Sequence, residues 1–277
     1  MGVDQSTPAP SRAGRNLPAA IGVGVGLGAV IIGSLFWYKA LFVLVVLAAV
    51  IAAVDELVRV FHASGAKLSR IPLFIGTTAM LITAYYGGPL ALLIAMALTV
   101  LATIFWRMPG GSIGFVRDIT TNVFLIGYVP LLAGFAILLV QPDDDGPQRV
   151  VTFFLVVVAS DVGGYVAGVL FGKHPMAPTI SPKKSWEGFA GSTLACIGAG
   201  IGSVVWLLDG HWWVGAIIGG IAVLTATVGD LAESMIKRDL GIKDMSNLLP
   251  GHGGVMDRLD SLLATAPAVW LLLHLLV

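Results

Sequence analysis

Charge is scarce in this chain. Asp, Glu, Lys and Arg make up 12% of its 277 residues, whereas a soluble domain carries about a quarter. Sixteen basic residues balance sixteen acidic ones. No basic surface is therefore available to hold a nucleic acid, and nucleic acid is excluded as a partner. Cysteine is nearly absent. Cys196 stands alone in an apolar run, so an internal disulfide is impossible and the redox compartment is not legible from it. The alternating pattern of a membrane β-barrel is also missing. Apolar residues dominate instead: 57% fall in the set AVILMFWYC, and mean hydropathy is +0.91. That excess rules out a water-soluble enzyme and a disordered chain. An all-α, polytopic integral membrane protein is the class that fits.

Residues 1–16 are polar, contain Pro, Ser and Gly, and read as a flexible cytoplasmic tail. The apolar run from Leu17 to Tyr38 exceeds a signal-peptide core of about 7–15 residues, so it reads as a retained first span. Crossing the hydrocarbon core takes about 20 mostly apolar residues. Nine segments qualify, some of them short: 18–38, 40–58, 71–86, 89–106, 119–140, 150–171, 189–208, 212–236 and 259–277. With the N-terminus in the cytoplasm, alternation leaves only Lys39 and Arg149 outside; the other Lys and Arg residues lie inside. The positive-inside rule favours that orientation. The expectation is about nine transmembrane helices in the cell membrane, N-terminus cytoplasmic and C-terminus outside. Five spans occupy 17–140. Four occupy 141–277, with two polar cytoplasmic loops at 172–188 and 237–258.

Ionisable groups inside spans are costly, at roughly 2.5–3.5 kcal/mol for a central Asp, and are rare unless they pair, face water or bind ions. Asp161 interrupts the sixth span. Asp230, Glu233 and Lys237 stand at i, i+3 and i+7 and so share one helical face; they form either an internal salt bridge or a metal site next to a phosphate. Asp257 and Asp260 bracket Arg258 at the start of the last span, after a Gly-His-Gly-Gly run. Asp260 is either a helix cap, favoured by the dipole, or a site residue. The glycines let backbone N–H groups approach an anion. Asp55 and Glu56, with Arg59 one turn on, read as an ordinary interfacial ion pair. The two inside loops bring Lys183, Lys184, Lys237, Arg238, Lys243 and Arg258 among these carboxylates. Cations alone would suit an anionic substrate. Carboxylates beside them point to Mg²⁺, which bridges a few carboxylates to substrate phosphates. The implied chemistry is phosphoryl or nucleotidyl transfer at the inner face of the membrane.

The stretch SMIKRDLGIKDMSNLLPGHGGVMDRLD, residues 234–260, resembles the signature of the phosphatidate cytidylyltransferases (CDP-diacylglycerol synthases). It supplies Ser234, Lys237–Arg238, Lys243–Asp244, Ser246, Pro250, His252–Gly253–Gly254, Asp257–Arg258 and Asp260. Upstream, DVGGYVAGVLFGKH is similar to the family's Asp-x-Gly-Ala-Tyr segment, with Gly164 in place of alanine. ISPKKSWEG, residues 180–188, is similar to its Ser-Pro-Lys-Lys-Thr-x-Glu-Gly block, with Ser185 in place of threonine. The resemblance covers about residues 155–261. It implies the reaction CTP + phosphatidate → CDP-diacylglycerol + diphosphate, a step of phospholipid biosynthesis that requires Mg²⁺, with membrane lipid as the second partner. A second, monovalent cation and a homodimer are left open.

The family's metal-binding acids fall on Asp230 and Asp257, with Asp260 and Asp161 in support and Glu233 beside them. Lys237, Arg238 and Arg258 are assigned by charge to the reacting phosphates. Lys183, Lys184, Lys243, Ser181, Glu187, Ser234, Gly253 and Gly254 are expected as substrate contacts. His252 is expected as a hydrogen-bonding or phosphate contact, because an anionic nucleophile needs no general base. The rival readings are a CTP-dependent lipid kinase and an ion-coupled secondary transporter.

Overall fold

The computed structural model describes residues 17–246, 248 and 253–277. The expected cytoplasmic tail and His252 lie outside the described residues. Backbone N–H and C=O groups find no water in hydrocarbon, so a spanning segment must satisfy them within itself, as a helix. Nearly all the described chain is helical: α1 (Leu17–Trp37), α2 (Lys39–Ala63), α3 (Arg70–Arg107), α4 (Phe115–Ile126), α5 (Leu132–Val140), α6 (Gly146–Phe171), α7 (Trp186–Leu207), α8 (Trp212–Asp239) and α9 (Met256–Leu276). Among the described residues, seven segments are long and apolar enough to cross a membrane. Large apolar side chains such as Ile75, Leu98 and Val169 lie on the outside, as expected where lipid tails replace water.

At 38 residues, α3 would reach about 57 Å if straight, nearly twice the hydrocarbon thickness. It is not straight. Gly88 adopts φ 71° and ψ −163°, a left-handed conformation that glycine reaches without strain, and Pro89 follows with no N–H to give. The arms then fold back on each other. Thr83 Oγ1 donates to the Ala91 carbonyl at 3.4 Å and Ser69 Oγ to the Thr103 carbonyl at 3.3 Å. The expected segments 71–86 and 89–106 are these two arms.

Between α4 and α5, Pro130 removes a ladder donor, and a π-helical turn, Gly127–Leu131, joins them into one rod. A buried ion pair ties the connections at one end of this half. Arg107 Nε donates to Asp118 Oδ2 at 2.8 Å, and its other nitrogens donate to the Gly111 and Ile113 carbonyls at 3.2 and 2.9 Å.

Helices α6, α7, α8 and α9 pack in sequence, and α9 also lies against α5 and α2. The two expected stretches, 17–140 and 141–277, therefore share one core, with Leu57, Leu81, Ile137, Val156, Ile218 and Val269 in a single cluster. The only strands among the described residues are β1 (Pro175–Ala177) and β2 (Ser181–Ser185), an antiparallel hairpin between α6 and α7.

Candidate active site

The hairpin folds over the end of α6 and returns two lysines toward α8. Its base is closed by Glu187 in the first turn of α7. That carboxylate accepts from the Lys173 and His174 amides at 3.1 and 3.2 Å and lies 2.6 Å from His174 Nδ1. Ser185 caps α7 by accepting from the Gly188 amide at 3.1 Å. Glu187, expected as a substrate contact, is thus occupied in shaping the loop that carries Lys183 and Lys184.

Beneath the hairpin lies a cavity of about 330 Å³ lined by α6, β2, α7, α8 and α9. Asp161, Ser181, Lys183, Lys184 and Asp230 all open into it. Lys184 Nζ lies 2.5 Å from Asp230 Oδ2 and so bridges the hairpin to α8. Ser234, one turn further along α8, donates to Asp230 Oδ1 at 3.4 Å. On the opposite wall, Ser192 Oγ of α7 donates to the Ser160 carbonyl at 2.7 Å and fixes the turn of α6 that carries Asp161.

A second cluster continues the same face of α8. Lys237 is paired with Glu233, and its Nζ donates to Asp257 Oδ1 at 3.0 Å. Asp257 Oδ2 accepts from the Gly254 and Met245 amides at 2.7 and 3.1 Å. Gly253, at φ +82°, turns the backbone directly before the Gly254 amide. The glycine run was expected to offer N–H groups to a bound anion. The anion that the Gly254 amide reaches is the protein's own Asp257 carboxylate. Asp230 and Asp257 stand at the same end of the α8–α9 pair, where the two helices approach closely. A Cβ built on Gly229 would meet the Asp260 carbonyl at 2.5 Å.

Asp260 accepts from the Ser261 amide at 2.7 Å and lies within electrostatic range of Asp161, Asp230 and Lys237. Arg258 is exposed and within range of Asp161. Arg238, in the last turn of α8, and Lys243, just beyond the helix, are exposed. Of the residues anticipated from sequence, the fold thus gathers Asp161, Ser181, Lys183, Lys184, Asp230 and Ser234 around the cavity. It sets Glu233, Lys237, Gly253, Gly254, Asp257 and Asp260 next to it. Arg238 and Lys243 stay at the rim.

The acids Asp161, Asp230, Glu233, Asp257 and Asp260 outnumber the cations Lys184, Lys237 and Arg258 that face them, and Lys183 at the cavity does not close the gap. Excess carboxylate at a buried polar site calls for a hard cation with oxygen ligands. Among the described residues, no three His, Cys, Asp or Glu side chains converge at metal-ligand spacing. A cation bound here would take part of its shell from substrate oxygens, which is how Mg²⁺ is commonly held.

Two side chains outside the motifs also reach this region. Tyr128, in the π-helical turn, places a buried hydroxyl that has no partner among the described residues within electrostatic range of Asp260, Glu233 and Asp230. Glu56 of α2 is buried and does not join the interfacial pair expected for it. Asp55 alone pairs with Arg59, while Glu56 turns inward to the chain before α9. Residues 40–54 are apolar on every face of α2, so helical spacing offered no signal that separated Glu56 from Asp55.

The family model for the cytidylyltransferase family matches residues 18–276. A phosphatidate cytidylyltransferase of Mycobacterium leprae is 44% identical, with 98% of this chain and 92% of that protein aligned. One from Mycobacterium bovis is 45% identical over 96% of this chain and 91% of its own length. One from Pseudomonas aeruginosa is 36% identical over 70% of this chain and 74% of its own. With a match that runs from α1 to the end of α9 and through both halves of the charged chamber, the chain belongs to the cytidylyltransferase family.

Proposed function

We propose that this protein transfers the cytidylyl group of CTP to phosphatidate, releasing diphosphate and leaving CDP-diacylglycerol in the membrane. The observation that carries the reading is the interleaving of cations and carboxylates at one end of α8: Lys184 on Asp230, and Lys237 between Glu233 and Asp257. Two anionic substrates must meet there. The named relatives carry the same activity in their names.

A phosphatidate oxygen attacks the α-phosphorus of CTP. A new P–O bond forms as the α–β bridge breaks, and the bridging electrons leave with diphosphate. The nucleophile is already an anion, so the protein's task is to neutralise charge and align the two phosphates. Lys183 and Lys184 clamp triphosphate oxygens above the cavity. Lys237 has three N–H donors; Glu233 and Asp257 take two, and the third faces substrate. Arg238 and Arg258 neutralise the departing diphosphate. Asp230, with one of Asp257 and Asp260, would hold Mg²⁺ alongside substrate oxygens, with Glu233 fixing Lys237 beside them. When bound there, Mg²⁺ would withdraw charge from phosphate oxygens and make the α-phosphorus more electrophilic.

The fold-back at Gly88 supports nine membrane crossings, with α1 as the first and the two arms of α3 as the third and fourth. The distribution of Lys and Arg supports a cytoplasmic N-terminus and a site facing cytoplasmic CTP. The cell membrane is then the site of action, and lipid enters between helices.

The test uses purified protein in detergent with phosphatidate, Mg²⁺ and CTP labelled at the α or γ position. Label from the α position entering lipid, and lost on chelation, is the expected result. Label from the γ position would establish lipid phosphorylation instead and sink the proposal.

A further inference from the structure

Helix α9 carries Asp257, Arg258 and Asp260, so its first turn sets where they stand. The leading amides of a helix have no carbonyl of their own helix to bond. A Ser, Thr, Asp or Asn at the cap position normally accepts from them. Here the cap position is Val255, whose side chain accepts nothing. The acceptor comes from α2 instead. Glu56 Oε1 accepts from the Val255 amide at 2.9 Å, and Oε2 accepts from the Met256 amide at 2.9 Å. Ser246 Oγ donates to Oε1 at 2.5 Å. Glu56 is only 4% exposed.

Burying a carboxylate is costly unless its oxygens are satisfied, and these three donors satisfy it. A negative group at this helix end is also favoured by the dipole. The sequence makes room for it. A Cβ on Gly254 would stand 2.7 Å from Glu56 Oε2, so any other residue there would push the carboxylate away. Met245, Ser246 and residues 254–256 are thus held between two carboxylates. Asp257 grips the Met245 and Gly254 amides, and Glu56 grips Ser246, Val255 and Met256.

We propose that Glu56 is a positioning residue of the transfer reaction, capping α9 from another helix and thereby fixing Asp257, Arg258 and Asp260 against α8. This rests on the reaction read from the chamber above. It touches no substrate and acts only through the turn it holds. An Asp at position 255 would cap α9 locally. A cap drawn from α2 also couples the first half of the chain to the reacting end of the second.

The test compares full-length wild type with Glu56→Asp, Glu56→Gln and, as a control facing the other way, Asp55→Asn. Turnover of CTP is measured together with amide hydrogen exchange. Gln keeps the size but turns an N–H₂ toward backbone N–H donors, so kcat should fall by roughly 10- to 100-fold, the cost of about an ångström of misplacement. Asp keeps the charge on a shorter arm and should retain more rate than Gln. Asp55→Asn should match wild type. Exchange should quicken in residues 244–258 of the Gln variant and not in α6 or α7. A Gln variant turning over as fast as wild type would overturn the proposal. So would exchange that rises evenly along the chain, which would make Glu56 a general fold element. If Gln fails to fold, the Asp variant carries the same two readouts. If wild type itself forms no CDP-lipid, the reaction reading fails, while local exchange still decides whether Glu56 holds the turn.

Discussion

Replacing Gly229 with alanine adds one methyl group where α8 and α9 pack closely. That methyl would stand 2.5 Å from the Asp260 carbonyl oxygen and 2.7 Å from Ala264 Cβ, whereas ordinary contact begins at 3.4 Å. The obstructing carbonyl is backbone and cannot rotate aside. Relief requires the helices to part by the difference, about 0.9 Å, and overpacking of this kind costs roughly 1–3 kcal/mol. The parting falls between Asp230, the next residue on α8, and Asp260 itself. A displacement near 1 Å in a reacting constellation costs on the order of 10²-fold in rate. Gly229→Ala should therefore remain folded, with a modest fall in melting temperature, and lose about two orders of magnitude in CDP-lipid formation. Gly220, on the same helix, has open space where a Cβ would go. Gly220→Ala should keep wild-type activity, with a stability change of no more than about 1 kcal/mol. The assay is transfer of α-labelled CTP into extractable lipid, beside thermal unfolding in detergent. Folded Gly229→Ala with activity within a factor of about three of wild type would refute the claim that helix separation at this point sets the chemistry.

Lys237→Met leaves Glu233 and Asp257 buried without their shared cation. Breaking such a pair should cost about 3–5 kcal/mol, and a melting temperature equal to wild type would show that Lys237 does not hold the cluster. Asp230→Asn removes the charge opposite Lys184 and should lower kcat by about 10²-fold or more; a folded variant with unchanged turnover would take Asp230 out of the site. Glu187→Gln should loosen the hairpin and raise the KM for CTP more than it lowers kcat, since Glu187 touches the loop and not the cavity. Steady-state kinetics read this directly, and an unchanged KM would contradict it. Arg107→Met leaves buried Asp118 with Arg117 and the Lys67 amide as its remaining partners and should destabilise the fold by about 1.5–3 kcal/mol, the worth of a hydrogen bond to a charged group, without changing kcat in the protein that remains folded; a loss of kcat in that fraction would mean the pair serves the reaction.

Much of this architecture is written locally. Apolar runs, their lengths and the Gly87–Gly88–Pro89 interruption announce helices and a reversal, because a helix satisfies its own backbone and needs no distant partner. The chemical identity is also local. Ser234 to Asp260 is one continuous stretch, and i, i+3 and i+7 spacing puts Asp230, Glu233 and Lys237 on one face before any folding is known. The Lys184–Asp230 bridge and the division of labour among the carboxylates were not local. Asp257 and Asp230 look alike as letters. Packing gives the first three hydrogen bonds and gives the second an opening onto the cavity.

Glu56 marks the boundary most clearly. Beside Asp55 and one turn before Arg59 it reads as surface charge, and helical spacing alone cannot say which of two adjacent acids faces the interior. Its partners Val255 and Met256 lie 199 and 200 residues away. The sequence determined which segments are apolar, long helices and which family the motif end belongs to, since periodicity and side-chain type are local properties. Only the tertiary structure decided which carboxylates tie distant segments together and which open onto the cavity, because that depends on which donors distant helices bring within about 3 Å.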